Sequence, residues 1–97
     1  MHKKYFFKVV LVAVIFNEKK EILLAKRHRN ETVLPGYWTI PGGKAEFDGN
    51  NSQDFLEKEV QREVLEEVGI KIKDLEYLDS HIHKSGKLNI CFTAKIS

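Results

Sequence analysis

The sequence predicts a mixed α/β (α+β) fold, a mixed β-sheet with one helix packed on its side. Three observations predict it. In residues 51–70, Leu56, Val60, Val64 and Val68 recur every four positions, the spacing of a helix with one apolar side. Residues 6–16 before it are rich in Val, Ile and Phe, and the apolar stretches on either side of the helix are short and separated by turn-forming residues, as strands are. The resulting order, strand-strand-strand-helix-strand-strand, suits a sheet covered on one face. With 97 residues, 42% of them hydrophobic, the chain is expected to form a single domain over residues 1–97 with a modest core.

Residues 1–16 place basic residues before an apolar run, a superficial likeness to a secretion signal. No small-residue cleavage site follows; the run passes directly into Asn17-Glu18-Lys19-Lys20, and it is far too short to span a bilayer. A strand over residues 6–16, buried on both faces or nearly so, is the expectation. Residues 17–20 read as a turn, and residues 21–27 as a second strand forming a hairpin with the first. Lys26, Arg27, His28 and Arg29 then make a basic cluster, read either as a solvated strand end or as a contact for substrate phosphates.

Leu34-Pro35-Gly36-Tyr37 is a turn, and Trp38-Thr39-Ile40 a short strand ending at Pro41, with Trp38 expected in the core. Gly42 and Gly43 follow, two residues that bring main-chain groups close to a neighbour. The helix comes next, with Asn51 or Ser52 as its cap and Gly69 as its left-handed stop. Beyond it, residues 70–72 read as extended, and residues 75–83 and 88–96 as two strands joined across Lys84-Ser85-Gly86-Lys87. His81 and His83 lie on one strand face; two histidines without a third ligand read as surface residues.

A formal charge of +2 is too small to argue for a nucleic-acid or membrane partner. The single Cys91 cannot form an internal disulfide, which fits a reducing compartment, and the cytoplasm is expected.

The polar side of the helix carries the chemistry. Glu59, Glu63, Glu66 and Glu67 fall within roughly 100° of one another. Such like-charge pairs each cost about 0.2–0.5 kcal/mol, and Glu66 and Glu67 crowd the last turn, where the helix dipole favours cations. A solvated acidic face is one reading. The other is a binding site for a hard divalent cation, which takes oxygen ligands and relieves the repulsion.

Arg62-Glu63-Val64-Leu65-Glu66-Glu67-Val68-Gly69-Ile70 resembles the signature of the Nudix hydrolases, which cleave nucleoside diphosphates linked to another group. That signature reads Gly, five residues, Glu, seven residues, then Arg-Glu-apolar-any-Glu-Glu-any-Gly-apolar. Every specified position of its second half is met, and Pro41-Gly42-Gly43-Lys44-Ala45-Glu46 is similar to the glycine turn that opens it. Asp54 stands where the first Glu is expected, and Gly43 lies eleven residues before it rather than six, so the intervening loop, within residues 48–52, is five residues longer. Those residues are turn formers, and loop length costs little.

The resemblance implies an alpha/beta/alpha sandwich, here incomplete at its C-terminus, since the family usually continues with more strands and a second helix. It implies Mg²⁺ or Mn²⁺ held by Glu63, Glu66, Glu67 and the carbonyl of Gly42. It implies hydrolysis of a phosphoanhydride bond in a nucleotide, with Glu63 as candidate base and Arg62 orienting a glutamate. Lys44, Arg27 and Asp54 are candidate substrate contacts. Glu59 matches no specified position and is left outside the ligand set. An open sheet edge would pair with a second copy of the chain. The rival reading is a Nudix-like module that binds a nucleotide or protein without turnover.

Overall fold

The computed structural model describes Lys3 and residues 6–32, 34–50 and 52–97. Its central strand is β1 (Lys8–Phe16). β1 runs antiparallel to β4 (Gly42–Lys44) on one side and parallel to β6 (Lys87–Ile96) on the other. β5 (Ile72–Ile82) closes the sheet by pairing antiparallel with β6, giving the order β4-β1-β6-β5. The helix α1 (Phe55–Val68) lies across this mixed sheet, as the apolar spacing requires.

The core is the seam between them. Val60 and Val64 of α1 are fully buried against Leu11, Ala13 and Ile15 of β1, with Phe92 and Ala94 of β6 and Ile72 of β5 around them. Leu56 and Val68 extend the same stripe at its two ends, partly buried. The parallel register sets Leu11 beside Ile90, Ala13 beside Phe92 and Ile15 beside Ala94, so both central strands turn an apolar row toward the helix. The opposite row of β1, Val10, Val12 and Val14, is half-buried, so one face of the strand is enclosed and the other partly so.

The first hairpin forms only at its tip. Asn17 Oδ1 accepts from the backbone N–H groups of Lys19 (3.0 Å) and Glu21 (2.9 Å), an Asx turn that fixes the reversal. A single bridge joins Phe16 to Ile22, and Leu23 N donates to Ile15 O at 2.9 Å. The chain then leaves β1, because that edge is taken: Ala13 N donates to Pro41 O at 3.0 Å, and Ala45 N to Val9 O at 2.9 Å. Ala25–Lys26 (β2) pairs instead with Trp38–Thr39 (β3) in a separate two-stranded sheet. The turn before β3 has Pro35 and Gly36 (φ 77°) at its centre and a Tyr37 N to Leu34 O bond of 3.2 Å, as the sequence predicts. Trp38 is 63% exposed and does not join the core.

The helix starts later than residue 51. Asp54 occupies the cap position in the left-handed region (φ 54°, ψ 39°) and its side chain caps nothing, so Ser52 is not the cap, and Asn51 lies outside the described residues. The C-terminal stop is as expected, with Gly69 at φ 71° and its N–H on Leu65 O at 2.9 Å. β5 absorbs the extended piece after the helix, with irregular pairing near Asp74 (φ 53°) and again between Tyr77 and Asp79. His81 sits exposed in β5, and His83 Nδ1 lies 2.8 Å from Ser85 Oγ in the turn before β6. Among the described residues, no helix is long and apolar enough to cross a membrane.

Candidate active site

Glu59, Glu63 and Glu67 follow one another at intervals of four along the edge of the apolar stripe, so they border the seam between α1 and β4. In an antiparallel ladder, alternate residues turn their main-chain groups away from the neighbour. Pro41 and Ala45 bond to β1, so Gly42 turns outward, and its N–H donates to Glu67 Oε2 at 3.1 Å. Its carbonyl faces the same open edge by the same alternation.

Neither Gly42 nor Gly43 has a positive φ; what these positions require is room. A Cβ on Gly42 would overlap the backbone carbonyl of Leu11, and one on Gly43 would overlap the carboxylate of Glu63. The two glycines therefore let β4 lie flat against β1 while Glu63 lies flat against β4. Burial raises the Glu63 carboxyl above the ordinary glutamate value, with neighbouring Arg62 pulling partly the other way.

Arg62 ties the helix face together. Its Nη2 donates to Glu63 Oε1 at 2.9 Å and its Nη1 to Glu66 Oε2 at 3.0 Å. Its Nε and Nη2 also grip both oxygens of Glu59, at 3.1 and 2.9 Å. Glu59 Oε2 accepts a further bond from the backbone N–H of Glu46 at 2.8 Å. The Arg62 fork and that N–H hold the Glu59 carboxyl below the usual glutamate range, and the same pairing pushes the guanidinium higher still.

The structure thus brings Arg62, Glu63, Glu66, Glu67 and Gly42 to one place. It does not bring Asp54, which is exposed at the helix start with no ion pair among the described residues. Lys44 is exposed on β4, also without an ion pair among them. Arg27 is engaged by Glu31 at 3.1 Å, in the loop between β2 and β3. Three participants had no place in the expected ligand set: Glu59, Glu46 and Gly43. A signal for Glu59 does exist in the sequence, its i,i+3 spacing to Arg62 on the border of the apolar stripe.

The sequence model of the NUDIX domain matches residues 6–94. The chain belongs to the NUDIX domain family. An uncharacterised Nudix hydrolase of Listeria monocytogenes is 38% identical over 64 residues, 66% of this chain and 36% of that protein. The chain matches about a third of the length of its curated relatives in Listeria monocytogenes and Listeria innocua. Among solved structures, a MutT protein from Methanosarcina mazei is 28% identical with a TM-score of 0.65, covering 99% of this chain and 67% of that one. A NUDIX hydrolase from Nitrosomonas europaea reaches a TM-score of 0.77 at 25% identity, covering 99% and 50%. The Nudix fold accounts for the mixed sheet and for the helix laid against the glycine strand.

Proposed function

We propose that this Nudix chain carries the hydrolytic site for a phosphoanhydride bond in a nucleoside diphosphate derivative, dependent on Mg²⁺ or Mn²⁺ and acting in the cytoplasm. The observation that carries the reading is the junction of helix and glycine strand: Glu67 on the N–H of Gly42, Glu63 packed on Gly43, and Glu66 bound to the same arginine as Glu63. Three carboxylates and an outward-turned carbonyl are all hard oxygen donors, which suits such an ion in chemistry. Among the described residues the side chains do not converge into a ready-made cage, because Arg62 and the Gly42 N–H now hold their oxygens. Glu63, Glu66, Glu67 and the Gly42 carbonyl would hold the ion. When bound, it would neutralise charge on the diphosphate and acidify water.

The remaining steps fall to the chain's own residues. Glu63 is the proposed proton acceptor: packing on Gly43 of β4 holds its carboxylate in a fixed direction beside the Gly42 carbonyl. Arg62 orients Glu63 and Glu66 without spending its charge on the substrate. Lys44, exposed on the glycine strand, would meet a phosphate of the substrate.

The test is thermal melting with Mg²⁺, Mn²⁺ and chelator, combined with phosphate release from nucleoside triphosphates, ADP-ribose, dinucleoside polyphosphates and NADH. Wild type should melt higher with metal and cleave at least one class, while Glu67→Gln should lose both responses. Metal-dependent melting without cleavage of any substrate leaves a non-catalytic nucleotide-binding module. No metal response at all reduces the acidic face to a solvated surface.

A further inference from the structure

Glu59 matches no specified position of the family pattern, yet it is the one charged residue buried among the described residues, at 8% exposure. We propose that Glu59 is a positioning residue, setting Arg62 and through it Glu63 and Glu66 for a divalent ion; this rests on the metal-dependent reading above.

A guanidinium is a planar fork, so two bonds to one carboxylate fix both its position and its plane. Glu59 makes those two bonds, to Nε at 3.1 Å and Nη2 at 2.9 Å. The remaining donors must then point where the plane directs them, which is to Glu63 Oε1 and Glu66 Oε2. Glu59 is itself held from outside the helix by the N–H of Glu46, two residues beyond β4. The chain of contacts therefore runs from the glycine strand, through Glu59 and Arg62, to two of the proposed ligands. An ordinary i,i+3 pair on a helix surface has neither this burial nor an anchor on another element.

Asp54 cannot do the same work. It lies eight residues before Arg62, about 12 Å along the helix axis, exposed and in the left-handed region. The carboxylate that fixes Arg62 is supplied one turn away instead. Outer carboxylates that orient metal ligands typically matter by about 10–100-fold in affinity or activity.

The experiment compares wild type, Glu59→Gln, Glu59→Asp and Asp54→Asn, with folding checked by circular dichroism. Glu59→Gln keeps an acceptor for the Glu46 N–H but turns an amide NH₂ toward the guanidinium, which breaks the fork. Glu59→Asp keeps the charge but is too short to hold both partners, and serves if the Gln variant does not fold. Mn²⁺ affinity should fall about 10–100-fold in Glu59→Gln, less in Glu59→Asp, and stay within about twofold in Asp54→Asn. The second readout needs no metal: the Arg62 Nε–H resonance in ¹⁵N NMR should be sharp and slowly exchanging in wild type and Asp54→Asn, and averaged with solvent in Glu59→Gln. Wild-type Mn²⁺ affinity in a folded Glu59→Gln, or a retained Arg62 resonance, overturns the positioning role. A wild type that binds no Mn²⁺ yet shows the NMR pattern sinks the metal reading and leaves Glu59 as the residue that sets Arg62.

Discussion

Glu59 and Glu67 lie on the same edge of α1, eight residues apart, and their charges have opposite consequences for the fold. Near the helix start, Glu59 is enclosed and takes three donors, two from Arg62 and one from Glu46. In the last turn, Glu67 is exposed, takes one backbone donor from Gly42, and faces Glu63 where the helix dipole is negative. A buried carboxylate that loses its partners leaves unsatisfied groups behind; an exposed one surrounded by like charge loses only repulsion. The first region spends its charge on structure, and the second holds charge that the isolated fold does not need. On the proposed reading, that charge is there for the ion.

The largest way to break this contrast is Glu59→Gln. It disrupts charge-assisted bonds at a buried group and should destabilise the protein by about 2–3 kcal/mol, read by chemical denaturation in chelator. A loss under half a kcal/mol would mean that Glu59 is no more than a surface pair. Arg62→Lys comes next, at about 1–2 kcal/mol, because an ammonium keeps the charge but cannot fork. Turnover should fall in that variant while the fold survives; wild-type turnover in a folded Arg62→Lys would remove the orienting role.

Acid sharpens the contrast. The Glu59 carboxyl is depressed in the folded protein, so its contribution is complete above the ordinary value of 4.5 and is lost as pH falls through the folded value. The gap between wild type and Glu59→Gln should therefore close below about pH 4.5. Glu63, one turn on, is raised by burial, and the sign reverses: its contribution is complete below 4.5 and is lost as pH rises through the folded value. Glu63→Gln should accordingly gain on wild type as pH rises. Melting curves across that range, without metal, decide whether two glutamates on one face carry opposite slopes.

The helix, its C-terminal stop and both central strands were legible because each announces itself locally: a four-residue apolar spacing, a Gly after it, a run of Val and Ile in β1, and apolar residues between turn formers in β6. What misled were facts set by distant parts of the chain. Residues 21–27 read as one strand paired with β1, but β4 already holds the edge of β1 that the second half of that strand would need. Trp38 looks like core, yet it falls on a two-stranded sheet that α1 does not cover. The helix start slipped to Phe55 because the lengthened loop ends in a left-handed Asp54, which no local pattern demands. At the site, the glutamates and glycines were readable as a motif. Glu59 showed only its spacing to Arg62; its burial and its bond to the Glu46 N–H come from packing against another part of the chain.

The smallest effect separates Glu66 from Glu67, which look equivalent in sequence. Both add charge to the negative end of the helix, and neutralising either would be expected to help the metal-free fold. The geometry divides them: Glu66 is bonded to Arg62 Nη1 at 3.0 Å, whereas among the described residues Glu67 accepts only from the Gly42 N–H, a bond that a Gln oxygen can accept as well. Glu67→Gln should therefore stabilise the metal-free protein by a few tenths of a kcal/mol, the scale of the i,i+4 and dipole effects. Glu66→Gln should be neutral or slightly destabilising, since it gives up a charge-assisted bond as it relieves the repulsion. With Mn²⁺ both variants should fall below wild type, because wild type gains binding free energy that they lack. Melting of the three proteins, each with Mn²⁺ and with chelator, measures all four differences. Equal shifts on adding metal would leave Glu66 and Glu67 as solvated charge, and a stabilised Glu66→Gln in chelator would show that its bond to Arg62 contributes nothing.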